Sequence, residues 1–436
     1  MRSHVAFEVK DAERFRKQML SWCRGKPVFA LLDSNGYNNL ATVTALYPEF
    51  DLLAAVNVLD IISCNYGDAL NELNECITRK NDWYFGLLGY DLKNEIENLK
   101  SENADQLGFD DLCFFRPELV FLLKKDRLEI HYHDRDFNEK EIRNTFEEII
   151  NTPSFSKHQK WDVNIIQRIK KDEYLSKLDL IQKHIYRGDI FEMNFCQEFY
   201  SDDALVDPHA LYSNLTSISP APFSCLYRLN DKFLISSSPE RFLKKKGSRI
   251  ISQPMKGTIK RSNDTLADQK LKEKLGKDPK EIAENVMIVD LVRNDLSKTA
   301  VKNSVLVEEL CGIYSYPTVH QMVSTIRSEL SPGYSIIDVI RSTFPMGSMS
   351  GAPKIRAMQI IEQYEETKRG IYSGAAGYIT PDGDFDFNVV IRSILYNQTN
   401  HYLSFITGGA ITANSVAENE YEECLLKAKA LFSAIV

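Results

Sequence analysis

Short apolar runs and segments with helical periodicity follow one another irregularly along the chain. Residues 28–34 (VFALLDS) form an apolar run that ends in a turn, which predicts a strand. Residues 119–133 (LVFLLKKDRLEIHYH) contain two such runs around a charged turn, which predicts a hairpin. Residues 190–200 alternate between apolar and polar, and residues 403–412 form an apolar run with a glycine kink. Both segments are predicted strands.

Helical periodicity marks a second set of segments. In residues 172–187, apolar side chains recur at the spacing of one helix face. Residues 350–365 contain a proline, Pro353, that suits the first turn of a helix. Together the pattern predicts helices over residues 138–150, 172–187, 266–298, 350–365 and 420–435.

The order of these elements indicates the fold class. At least two strands are predicted between residues 232 and 261, with a turn at residues 246–248, and a hairpin is predicted over residues 370–397. Strands and helices occur in groups, without regular βαβ alternation, which favours an α+β fold with large antiparallel sheets. A polar stretch ends near residue 160 and predicts a division into residues 1–160 and 161–436.

Composition and charge exclude several classes of protein. The 436 residues are 43% hydrophobic and 26% charged, which is typical of a globular protein. The net charge of −8 argues against nucleic-acid binding, and no apolar run approaches the roughly 18 residues of a membrane span. The N-terminus has no signal-peptide pattern, and the eight cysteines are scattered without a CxxC pair. A reducing cytoplasm is the expected location.

Two pairs of glutamates are the first candidates for chemistry. Glu281 and Glu284 are three residues apart in one predicted helix, and Glu420 and Glu423 are three apart in another. This spacing places each pair on one helix face. Two such faces brought together could hold a hard cation such as Mg²⁺. From spacing alone, two solvated acidic faces are the commoner explanation.

Several other residues have both a structural and a functional explanation. The turn GSMSGAPK (347–354) could bind an anion at a helix N-terminus or could simply join a loop to a helix. The glycines of TGG (407–409) could bind a carboxylate through backbone N–H groups. Arg392, within the apolar segment VVIRSIL, needs an anionic partner from the protein or from a ligand. His320 alone is more often a structural group than a catalyst.

Lys256, in QPMKGTIKR (253–261), is the remaining candidate. A lysine becomes a nucleophile only when it is neutral, and burial or a nearby cation lowers its pKa. Glu240, in SSSPERF, could act as a general acid if its pKa is raised. Composition does not decide between these roles and ordinary solvated charges.

Six motifs occurring in order resemble one known family. They are SSPERF, QPMKGTIKR, KEIAENVMIVDLVRNDLSK, PMGSMSGAPKIRAMQIIE, GYITPDGDFDFNVVIRS and ITGGAIT with ENEYEECLLKAKAL. The series resembles the chorismate-utilising enzymes, which include anthranilate synthase component I, isochorismate and salicylate synthases, and aminodeoxychorismate synthase component I. The match is strong over about residues 165–436, and weak before them through WYFGLLGYD (83–91).

The resemblance implies a fold and a set of roles. The fold is an anthranilate synthase component I-like α/β sandwich of two antiparallel sheets with helices outside. Glu284 and Glu423 match the carboxylates that hold Mg²⁺, and Glu281 and Glu420 match the outer pair that reaches it through water. Gly408, Gly409 and Lys427 match contacts to the ring carboxylate of chorismate. The other matches are Arg392 and Tyr378 for the enolpyruvyl carboxylate, His320 for the active-site histidine and Glu240 for the acid that protonates the departing C4 hydroxyl.

Two positions distinguish the members of this family. Anthranilate synthases have Ala at the position of Lys256, whereas aminodeoxychorismate synthases have Lys, whose amine attacks C2 before ammonia adds at C4. Here the motif is PMKGT. Isochorismate and salicylate synthases carry a Lys at the position of Glu192 to activate water, and the amine-using members more often carry Gln. Glu192 is therefore a departure without an assigned role.

The resemblance thus implies formation of 4-amino-4-deoxychorismate for 4-aminobenzoate and folate synthesis. Mg²⁺ would be the cofactor. Chorismate and ammonia would be the substrates, and a separate glutamine amidotransferase (component II) would supply the ammonia. The alternatives are anthranilate synthesis, which Lys256 argues against, and a non-catalytic chorismate-binding paralogue, which the complete set of carboxylates argues against.

Overall fold

The computed structural model describes residues 2–37, 49–154, 159–316 and 319–436. The first eleven strands in chain order are β1 Ser3–Glu8, β2 Val28–Asp33, β3 Leu52–Val56, β4 Asp60–Cys64, β5 Tyr84–Leu88, β6 Leu112–Arg116, β7 Leu119–Lys124, β8 Arg127–Tyr132, β9 Ile166–Gln167, β10 Glu192–Ser201 and β11 Phe223–Leu229. The others are β12 Lys232–Ser238, β13 Arg241–Lys246, β14 Arg249–Gln253, β15 Met255–Lys260, β16 Leu306–Ser315, β17 Val319–Glu329, β18 Gly351–Ala352, β19 Ala375–Ile379, β20 Phe385–Val389, β21 Ser393–Asn397 and β22 Tyr402–Ile411.

The α-helices of the described residues alternate with groups of these strands. They are α1 Ala12–Trp22, α2 Ala69–Arg79, α3 Lys93–Glu97, α4 Glu139–Asn151, α5 Lys171–Arg187, α6 Pro208–Ile218, α7 Thr265–Leu275, α8 Pro279–Ser297, α9 Ile336–Thr343, α10 Lys354–Tyr364 and α11 Ala417–Ile435.

The strands form two antiparallel sheets. The larger has the order β1-β8-β7-β3-β2-β11-β12-β21-β22-β10-β18, with β9 also paired to β10. The smaller has the order β15-β17-β14-β13-β20-β19-β5-β6-β4, with β16 also paired to β17. The predicted fold, a sandwich of two antiparallel sheets with flanking helices, is confirmed.

Two apolar cores explain why the central strands are apolar on both faces. In β2, Val28 and Ala30 belong to the core between the sheets. Phe29 and Leu31 belong to a second core, which packs the outer face of the larger sheet against α1, α4, α6 and α11. Successive side chains of a strand point to opposite faces. A strand covered on both faces therefore has an uninterrupted apolar run.

Both sheets contain strands from before and after residue 160. In the larger sheet β2 pairs with β11, and in the smaller sheet β5 pairs with β19. The division at residue 160 stays a prediction, and residues 155–158 of the polar stretch lie outside the described residues. Nowhere in the described ranges is there a helix with the length and apolar character needed to cross a membrane.

Most predicted elements are confirmed, and two differ in a way that affects the site. The helix predicted over residues 266–298 is two helices, because Asp278 caps a new helix whose first residue is Pro279. The strand predicted through VVIRSIL is interrupted at Arg392, whose φ of 50° is incompatible with a strand. The chain crosses there from β20 in the smaller sheet to β21 in the larger one.

Candidate active site

Lys256 lies on β15, at the edge of the smaller sheet. The pairing of β15 with β17 shifts register between Lys256 and Thr258, so Gly257 forms a bulge with a φ of 83°. A side-chain carbon at Gly257 would lie 3.0 Å from Oε2 of Glu281. Glycine is therefore required both by the backbone conformation and by the close approach of α8.

The amine of Lys256 is buried against Glu192, the first residue of β10. Lys256 Nζ donates to Glu192 Oε1 at 2.9 Å. Burial lowers the pKa of Lys256, but the carboxylates of Glu192, Glu284 and Glu240 outweigh it and raise that pKa. A nucleophilic amine must be neutral, which requires a lowered pKa, and the carboxylates around Lys256 act in the opposite direction.

Glu240 lies in the loop between β12 and β13 with its side chain buried. Burial raises the pKa of Glu240 to about 7, although a hydrogen bond from Ser348 and the charges of Lys256 and Arg392 act to lower it. The Ser348 hydroxyl donates to Glu240 Oε1 at 2.7 Å. A carboxyl group with this pKa can donate a proton near neutral pH, as the predicted general acid requires.

The turn at residues 347–352 holds two parts of the site together. It supplies Ser348 to Glu240, and its Gly351–Ala352 backbone pairs with Glu192 and Met193. Lys354, the first residue of α10, donates to Asp295 Oδ2 at 2.5 Å. The turn thus has a clear structural role, and the anion-binding alternative stays a prediction.

The four glutamates face one another across α8 and α11, together with two lysines. Lys280 Nζ lies 3.4 Å from Glu420 Oε1 and 3.8 Å from Glu284 Oε1. Lys427 Nζ lies 2.8 Å from Glu423 Oε1. This arrangement, which we call the glutamate cluster (Glu281, Glu284, Glu420 and Glu423), concentrates negative charge next to Lys256.

The pKa values differ within the glutamate cluster. Burial raises the pKa of Glu284 to about 7 and also raises that of Glu281. Lys427 lowers the pKa of Glu423. Glu284 Oε1 is buried without a hydrogen-bond partner in the described residues. Such a buried acceptor needs a donor or a cation when it is charged.

The residues of the glutamate cluster suit a magnesium ion chemically. Carboxylate oxygens are the ligands that Mg²⁺ takes, and the unpartnered Glu284 Oε1 offers one. The amines of Lys280 and Lys427 lie next to Glu420 and Glu423 and offset part of the negative charge of the glutamate cluster. Within the described ranges, no three Asp, Glu, His or Cys side chains already stand at metal-holding distances.

Two glycines let β22 lie close to its neighbours, Gly409 next to the glutamate cluster and Gly408 against β10. A side-chain carbon at Gly409 would lie 3.3 Å from Glu420 Oε2, and one at Gly408 would lie 2.2 Å from the carbonyl oxygen of Phe195. Lys427 Nζ donates to the Gly408 carbonyl at 2.8 Å. Gly408, Gly409 and Lys427 are therefore brought together beside the glutamate pair of α11.

The guanidinium of Arg392 has no hydrogen-bond or carboxylate partner within the described parts of the chain, although its backbone carbonyl accepts from the Ser237 N–H. Burial lowers the pKa of its guanidinium, against the influence of Tyr316, Tyr37 and Glu240. Of the two explanations from sequence, a protein anion and a ligand anion, the structure provides no protein anion in contact. A guanidinium in this position is available to a ligand carboxylate.

Tyr378 is not brought into contact with Arg392. Its ring packs against Phe50, Trp83 and Phe85, with centroid separations of 5.8–6.0 Å. It lines a pocket together with Asp33, Phe223 and Asn388. Its predicted contact with the substrate therefore has no support from its neighbours here.

His320 lies on β17 with both ring nitrogens engaged. Nδ1 is 2.8 Å from the Ser315 hydroxyl, and Nε2 is 3.0 Å from Asp268 Oδ1. The imidazole is buried, and its backbone pairs with Ile259 of the strand that carries Lys256. The structure shows a positioned histidine, and its catalytic role stays a prediction.

Sequence reasoning missed the residues that support the site. Ser348, Lys280 and Asp268 contact Glu240, the glutamate cluster and His320 respectively. Ser348 stands in the motif GSMSGAPK, but only the packing of that turn against Glu240 reveals its role. Lys280 was detectable as a lysine four residues before Glu284 on one helix face.

Comparison with known proteins identifies the family of this chain. The model of the chorismate binding enzyme family matches residues 39–433. Anthranilate synthase component 1 of Thermus thermophilus is 36% identical over 358 residues, covering 80% of this chain and 76% of that protein. Aminodeoxychorismate synthase component 1 of Salmonella typhimurium is 35% identical over 341 residues, covering 78% and 73%. The crystal structure of anthranilate synthase component I from Streptococcus pneumoniae has a TM-score of 0.78 at 26% identity, covering 89% of this chain and 92% of that one.

The two-sheet sandwich and its carboxylate-lined site are those of a chorismate-utilising enzyme. The chain belongs to the family of chorismate binding enzymes, and it is similar to members named for two different products.

Proposed function

We propose that this protein is an aminodeoxychorismate synthase component I. It would convert chorismate and ammonia to 4-amino-4-deoxychorismate, with the ammonia supplied by a glutamine amidotransferase subunit in the cytoplasm, for 4-aminobenzoate and folate synthesis. The observation that carries the proposal is the buried amine of Lys256, held between Glu192 and the glutamate cluster.

Different residues of the site would bind the two carboxylates of chorismate and the metal ion. Arg392 would bind one carboxylate of chorismate, and Lys427 with the backbone of Gly408 and Gly409 would lie beside the other. Glu284 and Glu423 would hold Mg²⁺, with Glu281 and Glu420 reaching it through water. When bound, the ion would act as a Lewis acid. Its positive charge would offset the negative charges of the ring carboxylate and of the glutamates around it.

Lys256 and Glu240 would carry the covalent steps. The neutral amine of Lys256 would form a bond to C2, and the two conjugated double bonds of the ring would both shift as the C4–O bond breaks. Glu240 would protonate that oxygen, so that water leaves. Ammonia would then add at C4, and the electron pair of the C2–N bond would return to Lys256. Glu240 would regain its proton from the ammonium ion that supplies the ammonia, which balances the reaction.

A product assay tests the proposal. The purified full chain is incubated with chorismate, Mg²⁺ and ammonium, and the product is identified by chromatography and mass spectrometry. We expect 4-amino-4-deoxychorismate as the main product. If no product forms, either with ammonium or with an added amidotransferase, the result would instead favour a non-catalytic paralogue.

Anthranilate synthesis is the second candidate function. It is favoured by the 36% identity to anthranilate synthase component 1 of Thermus thermophilus. The TM-score of 0.78 to anthranilate synthase component I from Streptococcus pneumoniae also favours it. Anthranilate as the main product of the same assay would establish this function and reject the first.

Replacing Ser348 by alanine is expected to move the pH dependence of the reaction. Glu240 acts in its protonated form, so activity should fall as pH rises through its pKa of about 7. The Ser348 hydroxyl lowers that pKa, so its loss should raise the pKa and move the alkaline limb to higher pH. The measurement is kcat against pH.

Ser350→Ala is the matched control for this prediction, because the Ser350 hydroxyl bonds to the carbonyl of Met346 in the same turn and does not bond to Glu240. An alkaline limb that moves equally in both variants would contradict the assignment of this limb to Glu240.

A further inference from the structure

Glu192 and Lys256 form a hydrogen-bonded pair with little exposure to solvent. Lys256 Nζ has one hydrogen-bond partner among the described residues, Glu192 Oε1 at 2.9 Å. The side chains are 1% exposed for Glu192 and 10% exposed for Lys256. The other carboxylate oxygen, Glu192 Oε2, is buried and has no donor in the described residues. The carboxylate is thus satisfied on one side only, by the amine that the proposed mechanism needs.

Rigid elements hold this contact in place. Glu192 begins β10, whose backbone pairs with β18 through Ala352, and Met193 pairs with Ile411 of β22 on the other side. Lys256 lies on β15 beside the Gly257 bulge. Both partners extend from paired strands, which position side chains more accurately than loops do.

The ion pair between Glu192 and Lys256 opposes the reactivity that the proposed mechanism requires of the amine. Its ionised form stabilises the protonated amine, and a protonated amine cannot attack carbon. A proton transfer within the pair would produce a neutral amine and a neutral acid without changing the total charge. Exclusion of water by a bound substrate disfavours buried charges, so it shifts the pair toward this neutral form.

We propose that Glu192 is the catalytic base that accepts the proton of Lys256 before the amine attacks. The inference rests on the proposed function and adds to it a residue that contacts the reacting nitrogen. In this step an N–H bond of Lys256 breaks, an O–H bond forms on Glu192, and the nitrogen retains the electron pair that forms the bond to C2. When ammonia adds at C4 and the C2–N bond breaks, the released amine of Lys256 recovers its proton from Glu192.

The substitution Glu192→Gln separates this role from a passive one. Glutamine has the same shape and can accept the hydrogen bond from Lys256, but it cannot take its proton. It also removes the negative charge that raises the pKa of Lys256. If Glu192 only holds the lysine, the glutamine variant should therefore be as fast as the parent protein or faster.

The experiment uses the full chain with chorismate, Mg²⁺ and ammonium. Rapid quenching followed by intact-mass spectrometry measures the rate of adduct formation on Lys256, and steady-state assays give kcat and KM. For Glu192→Gln we expect adduct formation and kcat to fall by about 10²-fold or more, the contribution typical of a general base, with KM for chorismate little changed. Glu192→Asp, which keeps the carboxylate but shortens the reach, should lose less activity than Glu192→Gln.

The possible adduct rates distinguish a base at Glu192 from a residue that only positions Lys256. A glutamine variant that forms the adduct as fast as the parent protein, or faster than the aspartate variant, overturns the inference. If the glutamine variant does not fold in a thermal melt, Glu192→Asn replaces it as the neutral counterpart of Glu192→Asp, and equal adduct rates in these two variants would overturn the role. Failure of the parent protein itself to form aminodeoxychorismate would reject the proposed function instead, so the two failures are distinguishable.

Discussion

Replacing Lys256 by alanine is expected to reduce the formation of 4-amino-4-deoxychorismate by at least about 10³-fold, because covalent catalysis depends on this single amine. The amine is buried beside Glu192, and no second amine is bonded to Glu192 in the described residues to replace it. The measurement combines a product assay with intact-mass spectrometry. The parent protein should show an adduct on Lys256 under quenched conditions, and the variant should show none.

Lys260→Ala provides the matched control. Lys260 lies on the same strand, β15, but its side chain is exposed. Its loss should leave the rate and the adduct unchanged, since exposed surface substitutions have small effects. Full activity in Lys256→Ala would show that nitrogen reaches C4 without a covalent lysine intermediate.

Replacing Glu284 by glutamine is expected to abolish the activity that depends on Mg²⁺. Its buried Oε1 has no hydrogen-bond partner in the described residues, and a neutral amide is a much weaker ligand than a carboxylate. We expect the apparent affinity for Mg²⁺ to fall by at least about 100-fold. The measurement is initial rate against Mg²⁺ concentration, supported by calorimetric titration of Mg²⁺ into the protein.

The pH dependence of the same titration provides an independent test. Burial raises the pKa of Glu284 to about 7, so below that pH the carboxyl is protonated and its proton competes with the ion. Affinity for Mg²⁺ should therefore increase as pH rises through 7 in the parent protein, and this increase should be lost in the glutamine variant. Glu423→Gln should also lower the affinity.

Glu422→Gln is the control on α11, between Glu420 and Glu423. Its side chain is 66% exposed, and its charged partner, Lys171, lies 3.8 Å away on the surface. We expect its Mg²⁺ response to match that of the parent protein. An unchanged response in both Glu284→Gln and Glu423→Gln would place the metal elsewhere or remove it from the mechanism.

The fold was predictable from local patterns because most of its elements have strong ones. The hairpin of β7 and β8, the helix α4 with its Asn138 capping box, and the helix α11 all occur close to their predicted positions. Hydrophobic alternation, helix caps and turns each depend on residues only a few positions apart. These signals can therefore be found directly in the sequence.

Arg392 shows where local reasoning fails. The apolar neighbours of VVIRSIL predict a continuous strand, but the chain crosses between the two sheets at this residue. Its left-handed conformation results from that crossing, and nothing in the neighbouring residues specifies which sheet each half joins. The ring of Tyr378 packs among aromatic side chains, and its predicted contact with the substrate stays a prediction.

By itself, the sequence determined the kind of chemistry in this protein. It supplied a lysine before a glycine, paired glutamates at helical spacing and a glycine pair on a strand, in an order that identifies the family. Only the tertiary structure decided how these groups affect one another. Glu192 and Lys256 are 64 positions apart, and Glu240 and Ser348 are 108 apart. The pKa values of Lys256 and Glu240 depend on burial and on charges close by in space, which no local pattern contains.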